Sequence, residues 1–376
     1  MSLLTRRTPA RAGARWTAVL LAAVQLAAAT AATAAGVPAA VAAGSAAAPG
    51  VPAAPPAMAI LCFVAAAGGE GLPAEPARLR AEAAAALGAA LQARGHATPL
   101  PAPLLPWQRE WRVRQALALP SGFVAALAGR AGAQRLLVAQ LVAADGRLLL
   151  AARCLSPATG LVTWADLADA PLPATPDTAA IWRRTLPALA ATLADRWREP
   201  PARADADTLG VLPTTALGCH AWEAEAATCA LLRALLTERR HHLPDPGLLA
   251  ASLQEEGLPA SDPGLAALQA LARRHGSSQL LLSQLQALSP AAQTAGPAPG
   301  LPENSVTPPG AQSALVLAAR VVAAGDGIVE AAAVTDSPPP PATGWFGTTR
   351  AYSPARRLAQ AGHDIVSRCR AHREDT

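Results

Sequence analysis

Residues 136–141 read LLVAQL and residues 280–285 read LLLSQL; residues 148–153 read LLLAAR and residues 315–320 read LVLAAR. Two pairs of matched, strand-length apolar runs in the same order are the mark of an internal duplication. The match continues outward. ALGAALQARGH at 86–96 aligns with LLRALLTERRH at 231–241, Gly160 falls on Gly327 and Asp169 on Asp336. The offset between copies is 144 at the first strand pair and 167 at the second, so the second copy carries about 23 extra residues in one hairpin loop.

Around these strands the first copy reads as a strand at 58–65, a helix at 75–94, a helix at 123–130, strands at 134–142, 147–154 and 161–167, and an amphipathic helix at 177–197. Asp145-Gly146 and Ala158-Thr159-Gly160 supply the turns. The second copy repeats the order with a strand at 209–213, helices at 223–239 and 265–274, a strand at 279–285 and a last helix at 354–370. The fold class is therefore α/β: two tandem repeats of a mixed β-sheet flanked by helices, in β-α-α-β-β-β-α order. Residues 58–200 and 207–376 are expected to be two units, each with its own core, joined by the polar, Pro-containing segment 201–206. The extra loop, 288–312, is rich in Pro and Gly with no apolar period, a composition expected to be disordered.

The first 43 residues have the form of a signal peptide preceding the fold. Arg6, Arg7, Arg11 and Arg15 precede the apolar stretch Trp16 to Ala35, and Ala32-Thr33-Ala34 and Val41-Ala42-Ala43 are both acceptable cleavage sites. Residues 44–57 read as a flexible Ala/Pro leader. The expectation is export to the periplasm through the general secretory route; the alternative is an inner-membrane anchor formed by an uncleaved N-terminal helix. Cys62 follows Leu61 and lies far beyond the apolar stretch, which is not the arrangement of a lipidation site. Cleavage removes four of the basic residues and takes the formal charge from +5 to +1. A nearly neutral chain lacks the basic stripe that phosphate backbones require, so nucleic acid is excluded as a partner.

Little in the chain points to chemistry. Five cysteines (62, 154, 219, 229, 369) form no CxxC pair; Cys219 and Cys229 flank a helix start and are the candidate disulfide. His220 beside Cys219, with His241 and His242 a helix later, lacks the short paired spacings of a zinc site. No G-x-S-x-G is present, and with no Lys in the chain there is no Walker-type phosphate loop. Asp166, Asp169, Glu255 and Glu256 read as solvated carboxylates at turns and helix faces. Trp164 is the candidate partner contact, a large amphipathic ring on a sheet, with core packing as the competing reading. No catalytic residue, cofactor or metal is assigned.

Residues 131–169, AGAQRLLVAQLVAADGRLLLAARCLSPATGLVTWADLAD, resemble the strand meander of curli-assembly lipoproteins of the CsgG type and of the TolB N-terminal domain. Residues 244–285 resemble the helix, loop and helix leading into a strand of the same group, with Leu248, Leu253 and Glu256 in its helix motif. The resemblance implies a non-catalytic binding or assembly module of the cell envelope, whose partners are other envelope proteins or a second copy of itself, with no membrane span once the signal is removed. The rival from another class is an undescribed or degenerate periplasmic hydrolase. A tagged chain expressed in a Gram-negative host is expected in the periplasmic fraction, with its N-terminus between Ala35 and Gly44 by mass spectrometry; a full-length N-terminus held in the inner membrane would contradict export.

Overall fold

The computed structural model describes residues 54–66, 76–100, 104–144, 146–172, 178–199, 206–259, 263–288, 314–337 and 353–374. The signal segment, residues 201–205 of the joint and residues 289–312 of the expected loop lie outside them; Leu288 itself is the last residue of a strand. Contacts divide the chain into two units, Met1–Ala54 and Pro55–Thr376.

The first copy comprises β1 (Ala57–Ala66), α1 (Pro76–Ala93), β2 (Thr98–Pro99), α2 (Leu105–Glu110), α3 (Ser121–Ala131), β3 (Arg135–Ala144), β4 (Arg147–Leu155), β5 (Val162–Pro171) and α4 (Thr178–Asp195). The second comprises β6 (Asp207–Val211), β7 (Thr215–Leu217), α5 (Ala221–Glu238), β8 (His241–His242), α6 (Pro246–Glu255), α7 (Leu265–His275), β9 (Gln279–Leu288), β10 (Ala314–Ala323), β11 (Val329–Ser337) and α8 (Pro354–Glu374). Sheet 1 has the order β2-β1-β3-β4-β5 and sheet 2 the order β11-β10-β9-β6-β8, with β7 also on β9. Each is mixed: the early strands run parallel and the last three form an antiparallel meander.

The duplication holds at the level of register. Leu149 pairs with Asp169 and Val316 with Asp336; Leu141 pairs with Leu150 and Leu285 with Leu317. The irregularity in the last pairing also recurs, between Cys154 and Leu155 in one sheet and between Val321 and Val322 in the other. Gly132 and Gly276 close α3 and α7 in the left-handed conformation, where a side chain is disfavoured, which is why both copies keep glycine there.

Separate cores, by contrast, are not what forms. Helices α1 and α4 cover one face of sheet 1, burying Leu79, Leu87, Leu141, Leu150 and Leu193. On the other face α3 covers only one end, around Leu61, Phe123 and Leu136. The rest of that face, Val142, Leu149, Ala151, Ala165 and Leu167, packs in one cluster with α5 and α8 of the second copy, which also carry the inner face of sheet 2 through Leu231, Leu285, Leu317 and Ile365. The layers therefore run helix, sheet, helix, sheet. The reason is the composition of the sheet 1 strands: β3 and β4 are apolar on both faces, as in any sheet covered on both sides, and the first copy has too few helices to cover them. A truncation of Leu167, which is 1% exposed in the shared cluster, to alanine is expected to cost roughly 2–5 kcal/mol. It should lower the midpoint of one cooperative transition seen by circular dichroism; two transitions, only one of them shifted, would contradict the shared core.

Candidate binding surface

The boundary between the copies is held by a buried polar seam. Arg153 on β4 and Asp245, which caps the N-terminus of α6, pair at 2.5 Å (Nε to Oδ2), with Asp245 fully buried. Asp245 Oδ1 also accepts from the Gly247 amide at 2.8 Å, and Arg153 Nη2 donates to the Ala116 carbonyl at 2.6 Å. A Cβ on Gly247 would lie 2.8 Å from Asp245 Oδ1 and 3.1 Å from Arg153 Nη2, so the seam requires glycine at that position. Backbone bonds from Val162 to Leu243 and from Asp245 to Gly160 extend it.

Beside this pair Glu225 on α5 has one carboxylate oxygen, Oε2, buried without a hydrogen-bond partner among the described residues. Burial pushes its carboxyl up to about 7, against the pull of Arg153. A second polar cleft, about 810 Å3, opens between β5, α5 and α8. Two of its arginines are already engaged: Arg147 pairs with Asp169 at 2.5 Å and Arg233 with Asp166 at 3.1 Å, while Ser353 donates to Asp169 at 2.5 Å. Asp166 and Asp169 are thus tied into the boundary and are not the solvated carboxylates the sequence suggested, whereas Glu255 stays on the surface beside Arg274 at 2.7 Å.

The other sequence candidates resolve as follows. Trp164 is 4% exposed and stacks on Trp197 with ring centroids 4.3 Å apart, so it is a core residue and not a partner contact. Cys219 and Cys229 are both free thiols and point to different sheets, the first donating to Leu285 O at 3.3 Å, the second to Ala152 O at 3.2 Å. Helical geometry sends them apart: Cys229 sits more than two turns into α5, on the side facing sheet 1. Burial pushes the thiols of Cys62, Cys154 and Cys229 up to about 12, far from a nucleophilic thiolate. His220 opens α5, its backbone amide donating to Glu223 Oε2 at 2.8 Å, and His241 pairs in β8 with Asp207. Among the described residues no group of three His, Cys, Asp or Glu side chains could hold a metal.

Sequence reasoning missed one Ser–His contact. Ser252 Oγ on α6 lies 3.0 Å from His275 Nε2 at the end of α7, and burial holds the His275 ring below its ordinary pKa. The hydroxyl also donates to the Leu248 carbonyl at 3.0 Å, Ser252 is buried, and neither residue lines a cleft described here. The contact ties α6 to α7. Twenty-three residues separate the two, with no local pattern that could have revealed it.

What remains open is the outer face of sheet 2. Helices α6 and α7 cover one end through Leu249, Leu268, Leu271 and Leu280. Beyond them lies a depression of about 380 Å3 lined by Leu282, Gln284, Ala318, Arg320, Ala332 and Val334. Val334 is 55% exposed and Val329 48%, whereas Leu167, the counterpart of Val334 in the first copy, is buried. The edge of β11 is less open than the face, because Arg368 on α8 donates to the Val334 carbonyl.

Fold and surface together define a duplicated α/β protein with two stacked mixed sheets and one sheet face that the described residues cover only in part. No family model matches the chain, and no curated protein matches it. Among solved structures it is similar to the C-terminal domain of LpoB from Salmonella enterica, at 19% identity over 33% of this chain and 87% of that one, with a TM-score of 0.25. It is similar to lipoprotein GNA1162 from Neisseria meningitidis, at 13% identity over 35% and 81%, TM-score 0.25, and to the PelC dodecamer from Paraburkholderia phytofirmans, at 11% over 45% and 92%, TM-score 0.26. These likenesses are weak, and none of them is to a CsgG or TolB protein. Among the described residues no helix is long and apolar enough to cross a membrane.

Because its pKa in the folded chain lies above the ordinary value of 4.5, Glu225 binds a proton that the unfolded chain has released between about pH 4.5 and 7. Its contribution to stability is therefore full at low pH and is lost as pH rises through 7. Replacing Glu225 with Gln is expected to flatten the dependence of the urea midpoint on pH between 5 and 8 and to raise the midpoint at pH 8; an unchanged slope would place the carboxyl in water.

Proposed function

We propose that the chain is an exported, non-catalytic binding or assembly module of the bacterial envelope, and that it works through the uncovered face of sheet 2. The observation that carries this reading is the contrast between copies: strand positions buried beneath a helix pair in sheet 1 are exposed or half-buried in sheet 2, Val334 among the exposed ones. A depression on a formed sheet that sets Leu282, Ala318, Ala332 and Val334 beside Gln284 and Arg320 is the kind of mixed surface that takes a protein partner. The polar groups nearest to chemistry serve structure in this reading. Arg153, Asp245 and Asp166 orient the two copies, and the buried thiols are protonated.

The rival reading, a degenerate hydrolase, is favoured by the Ser252–His275 contact alone. One experiment separates the two. In capture of a partner from envelope extract, Val334→Arg is expected to reduce recovery by about tenfold, the loss of roughly one buried valine side chain, while Ser252→Ala, His220→Ala and Cys219→Ala leave it unchanged. Capture untouched by Val334→Arg, together with an esterase or peptidase activity abolished by Ser252→Ala, would overturn the proposal.

A further inference from the structure

The repeat relates two exposed surfaces to two surfaces that already meet inside the chain. On the sheet side, the shared register maps Gln284 onto Gln140, Val316 onto Leu149, Ala318 onto Ala151, Ala332 onto Ala165 and Val334 onto Leu167. Leu149, Ala151, Ala165 and Leu167 are buried beneath α5 and α8. Their counterparts on sheet 2 line the open depression or flank it, Ala332 and Val334 exposed and Val316 and Ala318 half-buried.

The helix side shows the complementary pattern. The face of α5 that turns to sheet 1 carries Trp222, Ala226, Ala230 and Ala234, all buried in the shared cluster, with Cys229 donating to Ala152 O and Asp166 O. The alignment of α1 with α5, at an offset of 145, places Ala77, Ala81, Ala85 and Ala89 at those positions. All four are exposed. They border a depression of about 420 Å3 between α1 and the β1–β2 edge of sheet 1, whose lining also includes Ala84, the counterpart of Cys229, and Arg80. Alanine at every fourth position lets a sheet approach the helix closely, as it does along α5, with Arg80 and Gln92 beside the stripe. Glu82 of α1 is engaged elsewhere, with Arg78 at 3.0 Å and with Arg183 at 2.8 Å.

The geometry points to head-to-tail self-association: the open face of sheet 2 in one copy of this chain receives the outer face of α1 in the next, reproducing between chains the contact that joins sheet 1 to α5 within each chain. This rests on the binding-module reading and names the partner as a second copy. The contact is heterologous, since the two patches differ, and each chain that donates one patch leaves the other free. Assembly therefore continues until a ring closes or runs on as a filament. The intrachain interface supplies the template for the geometry, and the uncovered apolar face supplies the drive.

The test uses the full mature chain and two variants on exposed positions, Val334→Arg on the sheet face and Ala85→Glu on the helix face, with folding checked by circular dichroism. Light scattering behind size exclusion is expected to show wild-type mass rising with concentration to multiples of the monomer, and each variant alone to remain monomeric. Mixed in equal amounts, the two variants should form a dimer and nothing larger, because each retains the patch the other has lost. A wild-type chain monomeric up to about 100 μM, weaker than almost any assembly interface, or a mixture that stays monomeric, would overturn the inference. A symmetric sheet-to-sheet dimer would instead be broken by Val334→Arg, untouched by Ala85→Glu and not restored by mixing. If deletion of 289–313 alone brings on association, the chain's own loop occupies the face and the inference also fails. The binding-module reading fails separately: it falls if Val334→Arg leaves capture of an envelope partner unaffected and Ser252→Ala abolishes an esterase or peptidase activity, whatever the chain's own mass.

Discussion

A sheet whose strands are apolar on both faces has to be covered on both, and the first copy brings helices enough for one face and part of the other. That shortage organises the protein. It draws α5 and α8 of the second copy against Val142, Leu149 and Leu167, makes those two helices the shared middle layer, and leaves sheet 2 with one face that the described residues cover only at one end. The buried apolar area at this boundary replaces water along most of a sheet face, which is the dominant favourable contribution to such a contact. Two units that could have been beads on a string become one compact body.

Apolar packing sets no fine orientation, and the polar seam does. Arg153 and Asp245 are removed from water almost entirely, so their attraction largely offsets what desolvation costs and leaves little net stability. What the pair does supply is geometry: two donor nitrogens, two acceptor oxygens, the Gly247 amide and the Ala116 carbonyl fit in only one relative placement of β4 and α6. Arg233 on Asp166 and Ser353 on Asp169 do the same for α5 and α8. In sheet 2 the counterparts of Arg153 and Asp169 are Arg320 and Asp336, both exposed, so the positions that anchor the internal boundary recur on the open face.

Much of the fold was legible in the chain, because duplication turns weak local signals into paired ones. The strands at 136–141 and 280–285, the turn glycines Gly160 and Gly327, and the correspondence of Asp169 with Asp336 follow from the two copies read against each other. Short elements escaped notice: β2 and β8 are two residues each and α2 only six, too short to carry a period. Trp164 was misleading for a physical reason. Alternation along a strand says which side chains share a face but not whether a helix covers that face, and Trp197 on the chain following α4 closes over it.

By itself, then, the sequence determined the α/β class, the duplication, the order of the main elements along each copy and the lack of any motif for nucleophilic, metal or phosphate chemistry, since these depend on local periodicity and on spacings of a few residues. Tertiary structure alone decided that the copies share a core, that Cys219 and Cys229 face different sheets, that Asp166 is a boundary residue, and that Val334 lies exposed where Leu167 is buried. Each of these is a statement about which layer lies against which face. Two copies with nearly the same strand pattern differ there only because one has a helix pair from its neighbour above it, and the other does not.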